Sequence, residues 1–304
     1  MNGIINVYKE KGYTSFDVVA KLRGILKQKK IGHTGTLDPD AVGVLPVCLG
    51  SATKLCDMLT DKKKEYIAEL VLGKETDTQD ITGHILKETE VTCSEEEAVN
   101  AILSFIGDYD QLPPMYSAIK VDGKRLYELA RQGKEVQRKT RPVTFYEIEI
   151  LKMEFPFVRI RVLCSKGTYI RTLCHDIGQK LGCGAVMTSL ERTRSGQFTK
   201  ENAYTLEQIE KIRDEGSLDS IIIPVDSVFS ELPRLIVTGE IQNKILNGNL
   251  IYINECKKLG LSDCFSEGNK IRVYKENDNT CNFIAVYQYN KEKKGMVPDK
   301  MFLS

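Results

Sequence analysis

Apolar and polar positions alternate from the start of the chain: GIINVYK, Gly3 to Lys9, has the period of two that a strand requires. The period then lengthens. Phe16, Val19, Leu22 and Leu26 recur on one side of a helix that begins near Ser15, with Thr14 or Ser15 as its cap. In EYIAELVLG, Glu65 to Gly73, the residues Tyr66, Ala68, Leu70 and Leu72 share one face of a strand that Gly73 ends. Ser94, followed three residues later by Glu97, is a capping-box signature, and Ala98, Ile102 and Phe105 make the next helix amphipathic as far as Gly107. A short helix, RLYELARQ, stops at Gly133. Two alternating runs follow, Val143–Leu151 and Phe157–Ser165; the second sets Val158, Ile160, Val162 and Cys164 on one face and Arg159 and Arg161 on the other. TYIRTLCHDIGQKLG then reads as a helix closed by Gly182. Hairpin-like neighbours without a regular βαβ rhythm predict an α+β fold: a mixed, mainly antiparallel sheet with flanking helices.

The character of the chain changes after the helix-like TLEQIEKIRDEG, where a linker contains Pro224 and Pro233. Residues 1–228 are therefore expected to form one domain and 229–304 a second. In the tail, GEIQNKILNG reads as one helix ended by Gly248, and Leu250–Asn254, Lys270–Lys275 and Asn282–Tyr289 read as short strands. A small, β-rich unit of this size fits a partly open barrel.

With 304 residues and 41% apolar content, the chain is long enough for a substantial core. No window approaches the ~20 consecutive apolar residues of a membrane span, and the start lacks a basic segment followed by an apolar run and a cleavage site. A cytoplasmic protein with no membrane association is expected. The nine cysteines form no C-x-x-C pair and only His33, His84 and His175 could join a zinc site, so the cysteines read as reduced core residues. The net charge of +1 conceals two basic stretches. Lys21–Lys30 contains no acid, and Lys120–Arg141 carries eight basic residues against Asp122, Glu128 and Glu135. Short runs of this kind are usually solvated helix faces, so charge alone leaves a nucleic-acid partner open.

The densest group of reactive side-chain types is IGHTGTLDPDAVGVLPVCLG, Ile31 to Gly50. The chain has no G-x-x-x-x-G-K-[ST], LGCGAVM supplies only Gly182 and Gly184, and His33, Asp38 and Asp40 match no metal-ligand spacing, so neither cofactor nor metal is expected. In isolation an Asp-Pro pair starts a turn and a histidine is a hydrogen-bonded loop residue. Their surroundings shift the reading. GHTGTLDPDAVGVLPVCLGSATK, Gly32 to Lys54, closely resembles the catalytic loop of the TruB family, tRNA pseudouridine synthases that isomerise uridine 55 in the T arm. KEKGYTSFDVV, YIAELVLGKETDTQDITG, LPPMYSAIKVDGKRLYELARQG, CSKGTYIRTLCHDIGQKLGCGA and LERTRSGQF resemble that family's other blocks in chain order, and the tail resembles its carboxyl-terminal PUA module. Glu10 departs from the pattern, since the family often shows proline after the lysine matching Lys9.

This resemblance implies that Asp38 is the essential carboxylate, that His33 helps displace the target base, that Tyr66 packs on it and that Arg171 pairs with Asp38. Tyr169 and Leu190 are implied pocket residues, with Lys9 and Thr36 among the substrate-binding positions. The implied partner is the T arm of tRNA, without an obligate protein partner, and the implied state is a monomer. Turning uridine into its C-glycoside means cleaving the N1–C1′ bond, rotating the base and re-attaching it through C5, with no redox step. Asp38 either attacks C1′ or removes the 2′ proton to give a glycal; both need a carboxylate in nearly the same place. A neighbouring guanidinium typically lowers a carboxylate pKa by about 1–3 units, so Arg171 is expected to oppose desolvation of Asp38. Extruding a folded uridine costs a few kcal/mol, and the two basic stretches are expected to track the T-arm backbone, with Lys124, Arg125 and Arg131 among the contacts. Two rival readings are a guide-RNA-dependent synthase of the dyskerin type and an RNA-binding tRNA-folding helper.

Overall fold

The computed structural model describes residues 1–304 except Asp122, Glu135, Ser262, Asp263, Asp278, Asn279 and Ser304. Seven strands carry the main sheet: β1 (Gly3–Lys9), β2 (Val42–Leu49), β3 (Lys64–Leu72), β4 (Gly107–Gln111), β5 (Arg141–Glu154), β6 (Phe157–Cys164) and β7 (Ala185–Ser195). Their spatial order is β1-β2-β7-β3-β6-β5-β4, with the short strands Ile31–His33 and Phe198–Thr199 attached to β2 and β7. Every neighbouring pair is antiparallel except β2 and β7, which run parallel where Val42 faces Glu191 and Gly43 faces Arg192. The mixed, mainly antiparallel sheet expected from the sequence is present.

Period-two burial on β3 follows the sequence pattern, since Lys64, Tyr66, Ala68 and Leu70 all turn inward. The helices are α1 (Ser15–Leu26), α2 (Glu95–Leu103), α3 (Ile170–Leu181) and α4 (Leu206–Asp214). One core packs α2 and α3 against β3, β5, β6 and β7; another packs α1 and α4 against β1 and β2. Close approach of α3 to the start of β7 depends on Gly178, where an added Cβ would lie 2.0 Å from the Ala185 nitrogen. The cap of α1 is Thr14, which exchanges hydrogen bonds with Asp17. Phe16 does not join the buried stripe. Ser15, Val18, Val19, Leu22, Ile25 and Leu26 occupy that side, which leaves Phe16 65% exposed. Similarly, α2 stops at Leu103, because Gly107 at φ +114° already opens β4.

In the tail, β8 (Arg234–Val237), β9 (Lys270–Asn277), β10 (Thr280–Asn290) and β11 (Gly295–Met301) join Ile251–Tyr252 in a five-stranded sheet, beside helix α5 (Gly239–Leu246). The sequence pattern announces neither β8 nor β11, and the strand expected over Leu250–Asn254 contracts to two residues before a helix, Ile253–Lys258. The proline-bounded linker is itself packed. Ile223 exchanges backbone hydrogen bonds with Ile4, at 2.8 and 2.9 Å, while Val225 and Phe229 share a core with Cys48, Leu55, Val286 and Phe302. Among the described residues, no helix is long and apolar enough to cross a membrane.

Candidate active site

The loop between strand Ile31–His33 and β2 is pinned along its whole length. Thr34 donates to the Pro46 carbonyl through its backbone N–H (3.1 Å) and its hydroxyl (3.2 Å). The backbone N–H of Leu37 donates to Ser15 Oγ at 2.9 Å. The Pro39 carbonyl accepts from Gly12 N–H (2.9 Å) and from Lys9 Nζ (3.0 Å), and Arg192 Nη2 donates to the Gly35 carbonyl at 3.2 Å. Asp38 is thus held on an immobilised turn rather than on a mobile loop. The turn ends at Gly43, whose φ of +110° and close approach to β7 exclude a side chain: a Cβ there would lie 2.2 Å from the Arg192 carbonyl oxygen.

Helix α3, packed in the same core as Leu37 and Ala41 of the turn, delivers Arg171. Its guanidinium grips both carboxylate oxygens of Asp38, with Nε to Oδ2 at 3.0 Å and Nη2 to Oδ1 at 3.3 Å. The same side chain donates to the Thr78 and Tyr116 carbonyls at 3.1 and 2.9 Å and lies 3.7 Å from Asp80 Oδ2. A buried arginine with this many acceptors has one available orientation. The start of α3 is anchored by Gln111, a buried residue at the end of β4, whose amide accepts from the Tyr169 N–H (2.8 Å) and donates to the Tyr169 carbonyl (3.0 Å). Tyr169, half-buried, therefore enters the helix in a fixed pose.

Tyr66 from β3 and Leu190 from β7 complete the group; both are buried on the inward face, and Leu190 sits opposite Ala68 in the strand register. Lys9, at the end of β1, is fully buried, and His33 and Lys9 flank the turn that bears Asp38. Thr36 is exposed on the turn itself. The structure thus brings together Asp38, Arg171, Tyr66, Tyr169, Leu190, His33, Lys9 and Thr36 from five separated stretches of sequence. Lys124 and Arg131 are exposed, with Arg131 over the Tyr127 ring at 5.5 Å; the Arg125 side chain lies outside what is described. Among the described residues, no three His, Cys, Asp or Glu side chains are placed to hold a metal ion.

At Asp38 the expected opposition between burial and Arg171 is present. Although 44% of its side-chain surface is exposed, protein surrounds the rest of the carboxyl, and that burial pushes its pKa above the ordinary carboxylate range. Arg171 is the largest opposing influence, and Asp80 adds to the rise. Desolvation wins over the ion pair. Burial likewise lowers Lys9 to about 8, against the pull of Asp38 and Asp40, and lowers His33, with Arg192 adding to the effect, so the imidazole is favoured in its neutral form. Tyr66 and Tyr169 are both raised by burial and stay protonated at neutral pH.

Four neighbours of this group carry no role in the sequence reading: Asp80, Lys64, Gln111 and Arg192. A signal was present for Lys64 and Arg192. Each is a cation at an inward strand position, Lys64 two residues before Tyr66 on its own strand and Arg192 opposite Tyr66 on the next. Asp80 and Gln111 lie in turn-rich or edge segments, where periodicity says nothing about direction.

Two family models divide most of the first 230 residues between them. The TruB family pseudouridylate synthase N-terminal domain matches residues 23–170, and the tRNA pseudouridylate synthase B C-terminal domain matches residues 171–230. The tRNA pseudouridine synthase B of Lachnoclostridium phytofermentans is 53% identical over 100% of both chains, and that of Alkaliphilus oremlandii is 51% identical over 91% of both. Among solved structures, one of a Cbf5-Nop10-Gar1 complex superposes with a TM-score of 0.70 at 28% identity, covering 99% of this chain and 85% of the other. An H/ACA RNP bound to a substrate RNA containing 2′-deoxyuridine gives 0.69 at 25% identity with the same coverage. Fold and matches together define a pseudouridylate synthase, an isomerase. The chain belongs to the TruB family.

Proposed function

We propose that this chain converts uridine 55 of the tRNA T loop into pseudouridine by flipping the nucleotide onto Tyr66 and cleaving its glycosidic bond with the Asp38 carboxylate. The observation that carries the reading is the two-point grip of Arg171 on Asp38 at the end of a turn with no freedom to move. An ionised carboxylate, aimed into a cleft by a fixed guanidinium, is the group both candidate chemistries need, attack at C1′ or removal of the 2′ proton. Tyr66 and Leu190 supply a flat apolar floor for uracil, Tyr169 a wall, and neutral His33 a ring of a size to occupy the space the base vacates. Lys9 holds the turn from beneath, and Thr36 meets the nucleotide at the cleft mouth. The exposed Lys124 and Arg131, with Arg125, are assigned to the T-arm backbone.

Residues 1–228 form the catalytic domain in this reading, and 229–304 a PUA-like RNA-binding domain seated against it through Val286 and Phe302. The enzyme works as a cytoplasmic monomer on bare tRNA. Likeness to Cbf5 raises a guide-dependent alternative, but full-length identity of about half to tRNA pseudouridine synthases B, against 28% to Cbf5, favours a stand-alone enzyme.

The test is tritium release from a T-arm stem-loop labelled at uridine C5, without protein partners, for the parent and Asp38→Asn. Release by the parent alone supports the reading. A folded parent that binds the RNA and releases nothing would refute it in favour of a guide-dependent or purely RNA-binding role.

A further inference from the structure

Among the described residues Arg192 is the bulkiest fully buried side chain, at 1% exposure, and forms no ion pair with a carboxylate there. Its donors go instead to carbonyl oxygens: Nε to Val44 at 2.7 Å and Nη2 to Gly35 at 3.2 Å. Taking a cation out of water without a counter-charge costs several kcal/mol even after the protein relaxes, and an apolar residue of similar volume would fill the same space more cheaply. Packing therefore does not account for it. The two buried lysines near the site are satisfied close to home in sequence or on the loop, Lys64 by the carbonyls of Thr60 and Lys62, Lys9 by those of Glu10 and Pro39.

Three features meet at Arg192. First, it lies directly opposite Tyr66 in the antiparallel β3–β7 register, so the two inward side chains stand side by side. Second, its own backbone abuts Gly43 where the Asp38 turn rejoins the sheet, while its guanidinium holds Gly35 where that turn begins. Third, the ladder is irregular immediately beyond it, between Arg192 and Arg194, which frees this position from strict alternation. One residue thus meets both ends of the turn that carries Asp38, through its backbone at Gly43 and its guanidinium at Gly35, and stands opposite Tyr66. Its positive charge also draws the Tyr66 phenol toward ionisation, against burial.

We propose that Arg192 is a positioning residue for the reaction, fixing the Tyr66 phenol in register with the Asp38 turn so that the base held by one is presented to the other. The role requires a planar fork with donors in several directions. A lysine ammonium, a single point on a shorter reach, cannot span Val44, Gly35 and the phenol together. This inference rests on the proposed isomerase reading, since it assigns work to Tyr66 during turnover.

A double-mutant cycle tests it, using single-turnover tritium release from the T-arm stem-loop by the full chain. Arg192→Lys is expected to lower the single-turnover rate about tenfold or more, the scale of a charged hydrogen bond, with RNA affinity within about threefold of the parent. In the Tyr66→Phe background, where the phenol oxygen is absent, the same substitution is expected to cost less than about twofold. Equal losses in both backgrounds would overturn the proposal, because Arg192 would then act through the turn alone. A loss confined to RNA affinity would overturn it as well. If Arg192→Lys does not fold, Arg192→Gln enters the same cycle with the same two criteria. A parent without turnover would refute the isomerase reading itself, a result distinct from an active parent with an additive cycle.

Discussion

Replacing Arg171 with methionine removes the counter-charge of Asp38 while keeping the length and apolar stem of the side chain. Two charge-assisted contacts with Asp38 disappear, an ion pair at 3.0 Å and a hydrogen bond at 3.3 Å, together with the donations to the Thr78 and Tyr116 carbonyls. Such bonds are worth about 1.5–3 kcal/mol each when shielded. The Asp38 side chain is 44% open, so the lower figure applies to each. A combined loss of about 3 kcal/mol corresponds to a fall of about a hundredfold in kcat/KM near neutral pH. The pH profile supplies the sharper test. Burial already holds the Asp38 carboxyl above its ordinary range and Arg171 is the main force opposing it; without Arg171 the carboxyl rises further. In the proposed reaction the active form is the carboxylate, so rate is lost as pH falls through that pKa, and the acid limb of kcat/KM is expected to move to higher pH in the variant, with part of the rate recovered on the alkaline side. Stem-loop tritium release from about pH 5 to pH 9, with a urea melt to certify the fold, reads both quantities. A profile lowered uniformly, with its acid limb unmoved, would show that Arg171 does not tune Asp38.

Gln111→Leu preserves volume but strips two hydrogen bonds from the Tyr169 backbone, and a loss of about 2 kcal/mol in urea-melt stability is expected, with a larger effect on kcat than on KM. Gly43→Ala drives a methyl group into the Arg192 carbonyl, so little soluble or active protein is expected, and a variant with parental stability would contradict the close approach described. Lys9 is lowered to about 8 from 10.5, so between those values the unfolded chain binds more protons than the folded one; the stability of the parent relative to Lys9→Met should rise with pH through that window and be flat below it, as read by paired melts. Charge reversal at Lys124 together with Arg131 should weaken T-arm binding and reduce the slope of log affinity against log salt by about one for each phosphate no longer neutralised, while unchanged slopes would place the RNA elsewhere.

Part of the sheet was legible because its strands have one wet and one dry face: β3 and β6 show the alternation on which the reading of Tyr66–Leu72 and Val158–Cys164 rested, whereas β1, read from the same alternation over Gly3–Lys9, is buried along almost its whole length. Caps were legible for the same local reason, Ser94 with Glu97 needing only four residues to declare itself. Phe16 failed because helical spacing defines a stripe only to within a neighbouring position, and Ser15, a small polar residue, took the inward place to bind Leu37. Strand β8 was hidden directly behind Pro233, and β11 carries Pro298 and Asp299, whose composition argues against a strand although its pairing with β10 makes one. Tertiary pairing overrode local preference in both.

Asp38 and Arg171 lie 133 residues apart, yet their meeting follows from the topology. The parallel contact of β2 with β7 puts the exit of the Asp38 turn against Arg192, and the antiparallel contact of β7 with β3 puts Arg192 against Tyr66. Because α3 leads directly into β7, fixing β7 in the sheet also fixes the end of α3, and Gln111 on the far edge strand fixes its beginning. The carboxylate turn, its guanidinium and Tyr66 are therefore placed by strand register together with the hydrogen bonds that pin the turn. A one-residue slip of β7 would turn Leu190 and Arg192 outward and separate all three groups at once, which makes the inward cation on that strand the most informative place to perturb.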